Sequence, residues 1–108
     1  MSAPGSQEWL DSVVEEVVDP DAPIIDPHHH LWPEGEGMRY ALADLLADLA
    51  SGHRIVDTVF VECGAGYARG SGDAAAPVGE TEFVTAEAER APRQVMGGIV
   101  ALHSGMRL

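Results

Sequence analysis

Three consecutive histidines follow a short apolar run near the start of the chain, in the stretch IIDPHHHLW at residues 24–32. The isoleucines favour a β-strand. Pro27 has no N–H to give to a sheet ladder, so strand one is predicted to run from Ile24 to about Asp26 or Pro27. The histidines are therefore expected at the carboxyl end of a strand.

An extended chain would divide these side chains between two faces. Residues at i and i+2 share a face of a strand, so Asp26, His28 and His30 are predicted to point one way and His29 the other. Neutral imidazoles are common metal ligands, and two on one face supply half of a first shell for zinc, iron, nickel or a similar divalent ion. The same residues are compatible with an ordinary solvated loop, although their internal position argues against a purification tag.

Composition limits the classes of partner. The chain of 108 residues has 18 acidic and 6 basic residues, all six arginine, and a formal net charge of −12. Nucleic acid and anionic membrane surfaces would be repelled, so neither is an expected partner. The single cysteine, Cys63, rules out an internal disulfide and is expected to be a small buried apolar residue. No apolar stretch approaches a membrane span or a signal peptide, which predicts a cytoplasmic protein.

Hydrophobic periodicity predicts an alternating order of helices and strands after an N-terminal extension at residues 1–22. The leucine stripe in YALADLLADLAS is typical of a helix, and IVDTVFVE is typical of a buried parallel strand. Strand, helix, strand, helix, strand is the order of right-handed parallel crossovers. The predicted helices are 7–18, 39–51 and 80–91, and the predicted strands are 24–27, 55–62 and 95–102.

Two further segments have residues that could contact a substrate. Glu62 ends the second predicted strand, where it could bind substrate, exchange a proton or simply bond to nearby backbone. The loop after it is rich in glycine, and Tyr67 and Arg69 in that loop are candidate contacts to an anionic substrate. The glycine spacing differs from G-x-G-x-x-G, so dinucleotide binding is only a distant alternative. His103, after the third strand, is interpreted as a rim histidine.

Several segments together resemble one known family. The stretches IIDPHHHLWP, YALADLLADLASGHRIVDTVFVECGAGY, PVGETEFV and GGIVALH look like the N-terminal part of the amidohydrolase-related family, and the resemblance covers nearly the whole chain from about Trp9 onward. These proteins are TIM-barrel hydrolases, often metal-dependent, and include lactonases and decarboxylases. The resemblance implies an α/β fold: a partial (β/α)8 TIM barrel at residues 23–108, with three strands, two crossover helices and an N-terminal extension helix.

The resemblance also assigns roles. The H-x-H after strand one of the family supplies two metal ligands, which implies His28 and His30 as ligands of a divalent metal such as zinc, Asp26 as a supporting carboxylate, and His29 outside the set. The resemblance implies a small-molecule substrate, a lactone or a related carboxylated compound, attacked by metal-activated water. Some branches of the family work without a metal.

The family's remaining ligands and its catalytic aspartate follow later strands that residues 1–108 do not include. We therefore expect an N-terminal fragment that is inactive alone and has no general base of its own. The alternative is a non-catalytic remnant or an assembly subunit that needs an oligomer or a complementing chain, because three barrel strands leave open edges.

Overall fold

A computed structural model describes residues 3–35, 37–65 and 77–101 of the chain. In these residues, the elements in chain order are α1 (Gln7–Asp11), β1 (Pro23–His29), α2 (Leu42–Leu49), β2 (Arg54–Val61), α3 (Val78–Arg90) and β3 (Gly98–Val100). The strands lie in the order β1-β2-β3, and both neighbouring pairs are parallel. The chain is therefore a mixed α/β structure with a three-stranded parallel sheet across the described residues.

The first strand extends two residues further than its sequence predicts. It continues through Pro27 to His29, and its pairing with β2 passes from Asp26–Thr58 directly to His29–Phe60. This irregularity allows Pro27 within the strand, because residues inside a bulge need not donate a hydrogen bond to the neighbouring strand. The prediction that the strand stops at Asp26 or Pro27 was wrong, and the first two histidines belong to the strand itself.

In the described residues, an apolar core lies between the sheet and the helices α2 and α3. Phe60 of β2 is fully buried, and so is Val84 of α3. The leucines of α2 repeat at helical spacing and are buried on the same side, as their stripe predicted. The buried apolar residues of this core are Leu31, Leu42, Leu45, Leu49, Phe60, Val84, Val95 and Met96.

The N-terminal helix is shorter than its apolar pattern suggested. It begins after Ser6, whose side chain accepts the N–H of Trp9, and ends at Asp11 instead of Val18. The valines that were expected to extend it are exposed, Val14 at 92% and Val18 at 98%. Valine is a weak helix former, and a short helix without an apolar surface to pack on is marginal.

The third strand is also shorter than predicted, because the chain turns just before it. Met96 has a positive φ of 52°, a conformation that no continuous strand contains. Val95 and Met96 are buried in the core, and regular pairing begins at Gly98, opposite Val59. None of the described helices is long and apolar enough to cross a membrane.

Candidate functional site

His28 and His30 lie side by side at the carboxyl end of β1. Their ring centroids are 5.0 Å apart and the rings are perpendicular. Two imidazoles that share a tetrahedral ion through bonds of about 2.0–2.1 Å would bring their centroids to roughly 5 Å, so this separation is compatible with shared ligation of one metal ion. The expected alternation therefore holds for this pair of side chains. It was wrong for Asp26, because the irregularity in the strand pairs Asp26 with Thr58, on the side of His29.

The ring of His30 has a defined orientation and tautomer. Its Nδ1 lies 2.6 Å from the carbonyl oxygen of Val61, at the end of β2. A carbonyl oxygen can only accept, so Nδ1 carries the proton, and the Nε2 of a neutral ring then presents its lone pair. Metal-binding histidines commonly hold their ring in this way, with the other nitrogen donating to a carbonyl or carboxylate.

Asp26 supports the pair through the backbone. Its Oδ1 accepts the N–H of His28 at 3.1 Å, which closes a short turn over Pro27. The contact fixes the chain where the strand is irregular. The structure thus gives Asp26 a role in shaping the histidine segment.

His29 points to the opposite side and belongs to the core. Its ring stands edge-on to Phe60 with centroids 5.9 Å apart, and its Nε2 lies 2.9 Å from Oγ1 of Thr58. Burial lowers the pKa of His29, so the ring is neutral at pH 7. Its buried Nδ1 has no hydrogen-bond partner among the described residues.

Thr58 connects this histidine to the third strand. The threonine is fully buried, and its Oγ1 also accepts the N–H of Met96 at 2.8 Å. One hydroxyl therefore joins β1, β2 and the turn that precedes β3. No pattern in the sequence indicated Thr58, because a lone threonine within an apolar strand is common.

Glu62 follows directly after the last residue of β2. Its backbone N–H donates to the carbonyl oxygen of Val100 at 2.9 Å, which ties the strand end to β3. The side chain is half-buried. The described residues contain no cluster of three or more His, Cys, Asp or Glu side chains placed to hold one metal ion. The two histidines are therefore candidates for two of the ligands of a metal ion.

A groove beside the histidines has an aromatic wall. The ring of Trp32 lies 5.9 Å from that of His30, measured between centroids. Trp32 also lines a groove of about 570 Å³ together with Met38, Arg39 and Tyr40. The N–H of Trp32 donates to the carbonyl oxygen of Tyr40 at 2.9 Å, which joins two of the residues that line the groove. Its size suits a small molecule.

Glu80 is a further residue that sequence reasoning missed. It lies in the first turn of α3 and is only 2% exposed. Its carboxylate accepts the backbone N–H groups of Cys63, Gly64 and Ala65, at distances from 3.0 to 3.2 Å. The only sequence signal was an acidic residue near a helix start, where acids are favoured in any case.

Cys63 contacts the same carboxylate. Its Sγ lies 3.4 Å from Oε2 of Glu80. Burial raises the pKa of the Cys63 thiol to about 11, and the carboxylates of Glu80 and Glu62 add to the effect. A thiol with this pKa is protonated and unreactive at neutral pH.

We expect alkylation of Cys63 by iodoacetamide to be slow at pH 8 and to accelerate only as the pH approaches 11. The chain has one cysteine, so the reaction rate reports this thiol alone. The urea-unfolded chain is the control and should follow the ordinary pKa of 9.0. Since the folded pKa is the higher one, the thiol's contribution to stability is complete below pH 9 and is lost as the pH rises through 11. A rate midpoint near pH 9 in the folded chain would contradict the burial of this group.

Some predicted contacts lie outside the described residues. These are Tyr67, Arg69 and the glycine-rich loop around them, and His103 after the third strand. Their predicted roles stay predictions.

The chain was also compared with known proteins. No protein-family model, curated protein or solved structure matches it.

Proposed function

We propose that this chain is the N-terminal part of an amidohydrolase-like (β/α)8 hydrolase that acts on a lactone or a related carboxylated small molecule. The observation that supports this proposal most directly is the pair of adjacent rings, His28 and His30, at the carboxyl end of β1. In barrels of this class that end of the sheet forms the active-site face. The parallel order β1-β2-β3 is the order of consecutive barrel strands.

The proposal gives the residues at this end of the sheet different roles. His28 and His30 bind a divalent ion, zinc being our choice, with His30 oriented by the Val61 carbonyl oxygen. When bound, such an ion supplies Lewis-acid chemistry that activates water and polarises a carbonyl group. Asp26 shapes the histidine segment, Glu62 lines the substrate pocket, and the groove beside Trp32 receives part of the small molecule.

Residues 1–108 supply only part of the barrel and of its active site in this proposal. A (β/α)8 barrel has eight strands, and the described residues contribute three of them. The remaining ligands and the general base that takes the proton from water must then come from outside these residues. The isolated 108-residue chain is therefore expected to bind metal weakly and to show negligible turnover.

Metal titration of the isolated chain tests the proposal. After treatment with EDTA and dialysis, the chain is titrated with Zn²⁺ and with Co²⁺ by calorimetry. We expect binding that weakens by at least about tenfold when His28 or His30 is replaced by alanine. His53→Ala is the matched control, because His53 is an exposed histidine in the segment between α2 and β2. Equal binding by all variants, or its absence from the unmodified chain, would contradict the metal site.

A lactone panel supplies the second measurement. The unmodified chain, loaded with Zn²⁺, is expected to hydrolyse none of the lactones above the rate of buffer with Zn²⁺ alone. Robust hydrolysis would show that the base lies within residues 1–108 and would overturn this part of the proposal.

A second candidate function is a non-catalytic assembly subunit. It is favoured by apolar side chains on the sheet face opposite the helices, where Ile25 is 58% and Val100 is 53% exposed. Such a face is commonly covered by further protein. Analytical ultracentrifugation of the metal-free chain separates the two: a defined oligomer that binds no Zn²⁺ favours the subunit, and a monomer that binds Zn²⁺ favours the hydrolase.

A further inference from the structure

The turn after β2 forms a binding site for an anion, and the chain fills that site itself. Cys63, Gly64 and Ala65 direct three successive N–H groups at the carboxylate of Glu80. Gly64 has a φ of +85°, which lets the backbone curl around the acid. Successive N–H groups in such a turn make a concave anion site, called a nest. Here the occupant comes from the first turn of α3, 15 to 17 residues further along the chain.

This nest begins two residues after the carbonyl group that orients His30. The carbonyl oxygen of Val61 accepts a hydrogen bond from Nδ1–H of His30. The backbone N–H of Glu62 donates to the carbonyl oxygen of Val100. The end of β2 is thus held by β3 through Glu62 and by α3 through Glu80. The carbonyl group of Val61 and the N–H of Glu62 belong to the same peptide, which the hydrogen bond to Val100 holds. The next peptide carries the N–H of Cys63, which donates to Glu80, so the nest limits how far the Val61 peptide can turn.

We propose that Glu80 is a positioning residue for His30: by holding residues 63–65 it keeps the Val61 carbonyl oxygen where the His30 ring can donate to it. This inference rests on the proposed function for its link to metal binding. The effect of Glu80 on the orientation of the His30 ring can be measured without any metal.

The chemistry of the nest requires a carboxylate. The side chain is 2% exposed, so its acceptor oxygens are satisfied by the protein. Both oxygens of Glu80 accept from N–H groups of the turn. An amide in its place would offer one oxygen and would direct an NH₂ group at N–H donors. Glu80→Gln therefore keeps the size of the side chain and removes one of the two oxygens that accept hydrogen bonds from the nest.

The experiment compares Glu80→Gln with Glu82→Gln, an exposed acid two residues along the same helix. The first readout is the tautomer of the His30 ring, from ¹⁵N NMR of the metal-free proteins, with the signal assigned by its loss in His30→Ala. We expect Nδ1–H in the unmodified chain and in Glu82→Gln, and a mixture of tautomers in Glu80→Gln. The second readout is Zn²⁺ affinity, which should fall by about tenfold in Glu80→Gln alone.

Each result decides the question. An unchanged His30 tautomer in folded Glu80→Gln overturns the inference, even if that variant is less stable. If Glu80→Gln does not fold, Gly64→Ala decides, because it strains the turn at a positive φ and its added methyl group has open space around it. An unchanged tautomer in Gly64→Ala then overturns the inference. If the unmodified chain binds no Zn²⁺, the proposed function fails, and the tautomer readout still tests Glu80.

Discussion

Replacement of Thr58 by valine is expected to lower the free energy of unfolding by about 2–6 kcal/mol. Valine has nearly the shape of threonine, so the change leaves the packing and removes only the hydroxyl group. The N–H of Met96 and the Nε2 of His29 would both lose their partner in a fully buried place. An unpaired buried polar group costs about 1–3 kcal/mol, and two of them are created together.

Urea unfolding followed by circular dichroism measures this effect. Thr58→Ser is the control, because it keeps the hydroxyl group and removes one methyl group, at a cost of about 1 kcal/mol. The two variants should keep the same dependence on urea concentration, so that the difference in midpoint reports stability. If the valine variant is as stable as the serine variant, the hydrogen bonds of the Thr58 hydroxyl do not stabilise the fold.

Replacement of His29 by alanine is expected to destabilise the chain by about 2–5 kcal/mol, the usual range for truncating a large buried side chain. The imidazole packs on Phe60 and bonds to Thr58, and its removal leaves a cavity as well as an unpaired hydroxyl. Zn²⁺ binding by the variant, measured where it is still folded, should be retained, because His29 lies on the opposite side of the strand from the proposed ligands.

The adjacent histidine supplies the control for this second prediction. His28 is exposed, so His28→Ala should change the free energy of unfolding by no more than about 0.5 kcal/mol while it weakens Zn²⁺ binding. A stability loss of similar size in both variants would contradict the division of roles. The double variant of His29→Ala and Thr58→Val should destabilise less than the sum of the single changes, since the two side chains contact each other.

The structure places three consecutive histidines in different surroundings. His29 stabilises the core, and the proposed metal ligands on either side of it lie outside the core. Such a division follows from a period of two along a strand, which places neighbouring residues on opposite faces.

The order of the elements could be predicted from the sequence by itself. Leucines at helical spacing and a continuous apolar run are local patterns, and they correctly indicated α2 and β2. The alternation of side chains also correctly separated His29 from its neighbours. These features depend on residues close together in the chain, so the physics of one segment was sufficient.

Other features were decided only by tertiary contacts. Pairing with β2 extended β1 past Pro27, and the turn at Met96 shortened β3. Helix α1 ended early, and none of its residues is buried among the described part of the chain. The roles of Thr58 and Glu80 depend on partners between 15 and 38 residues away. A local pattern cannot indicate which distant N–H groups an acid or a hydroxyl will satisfy, because that choice is made when the strands and helices pack together.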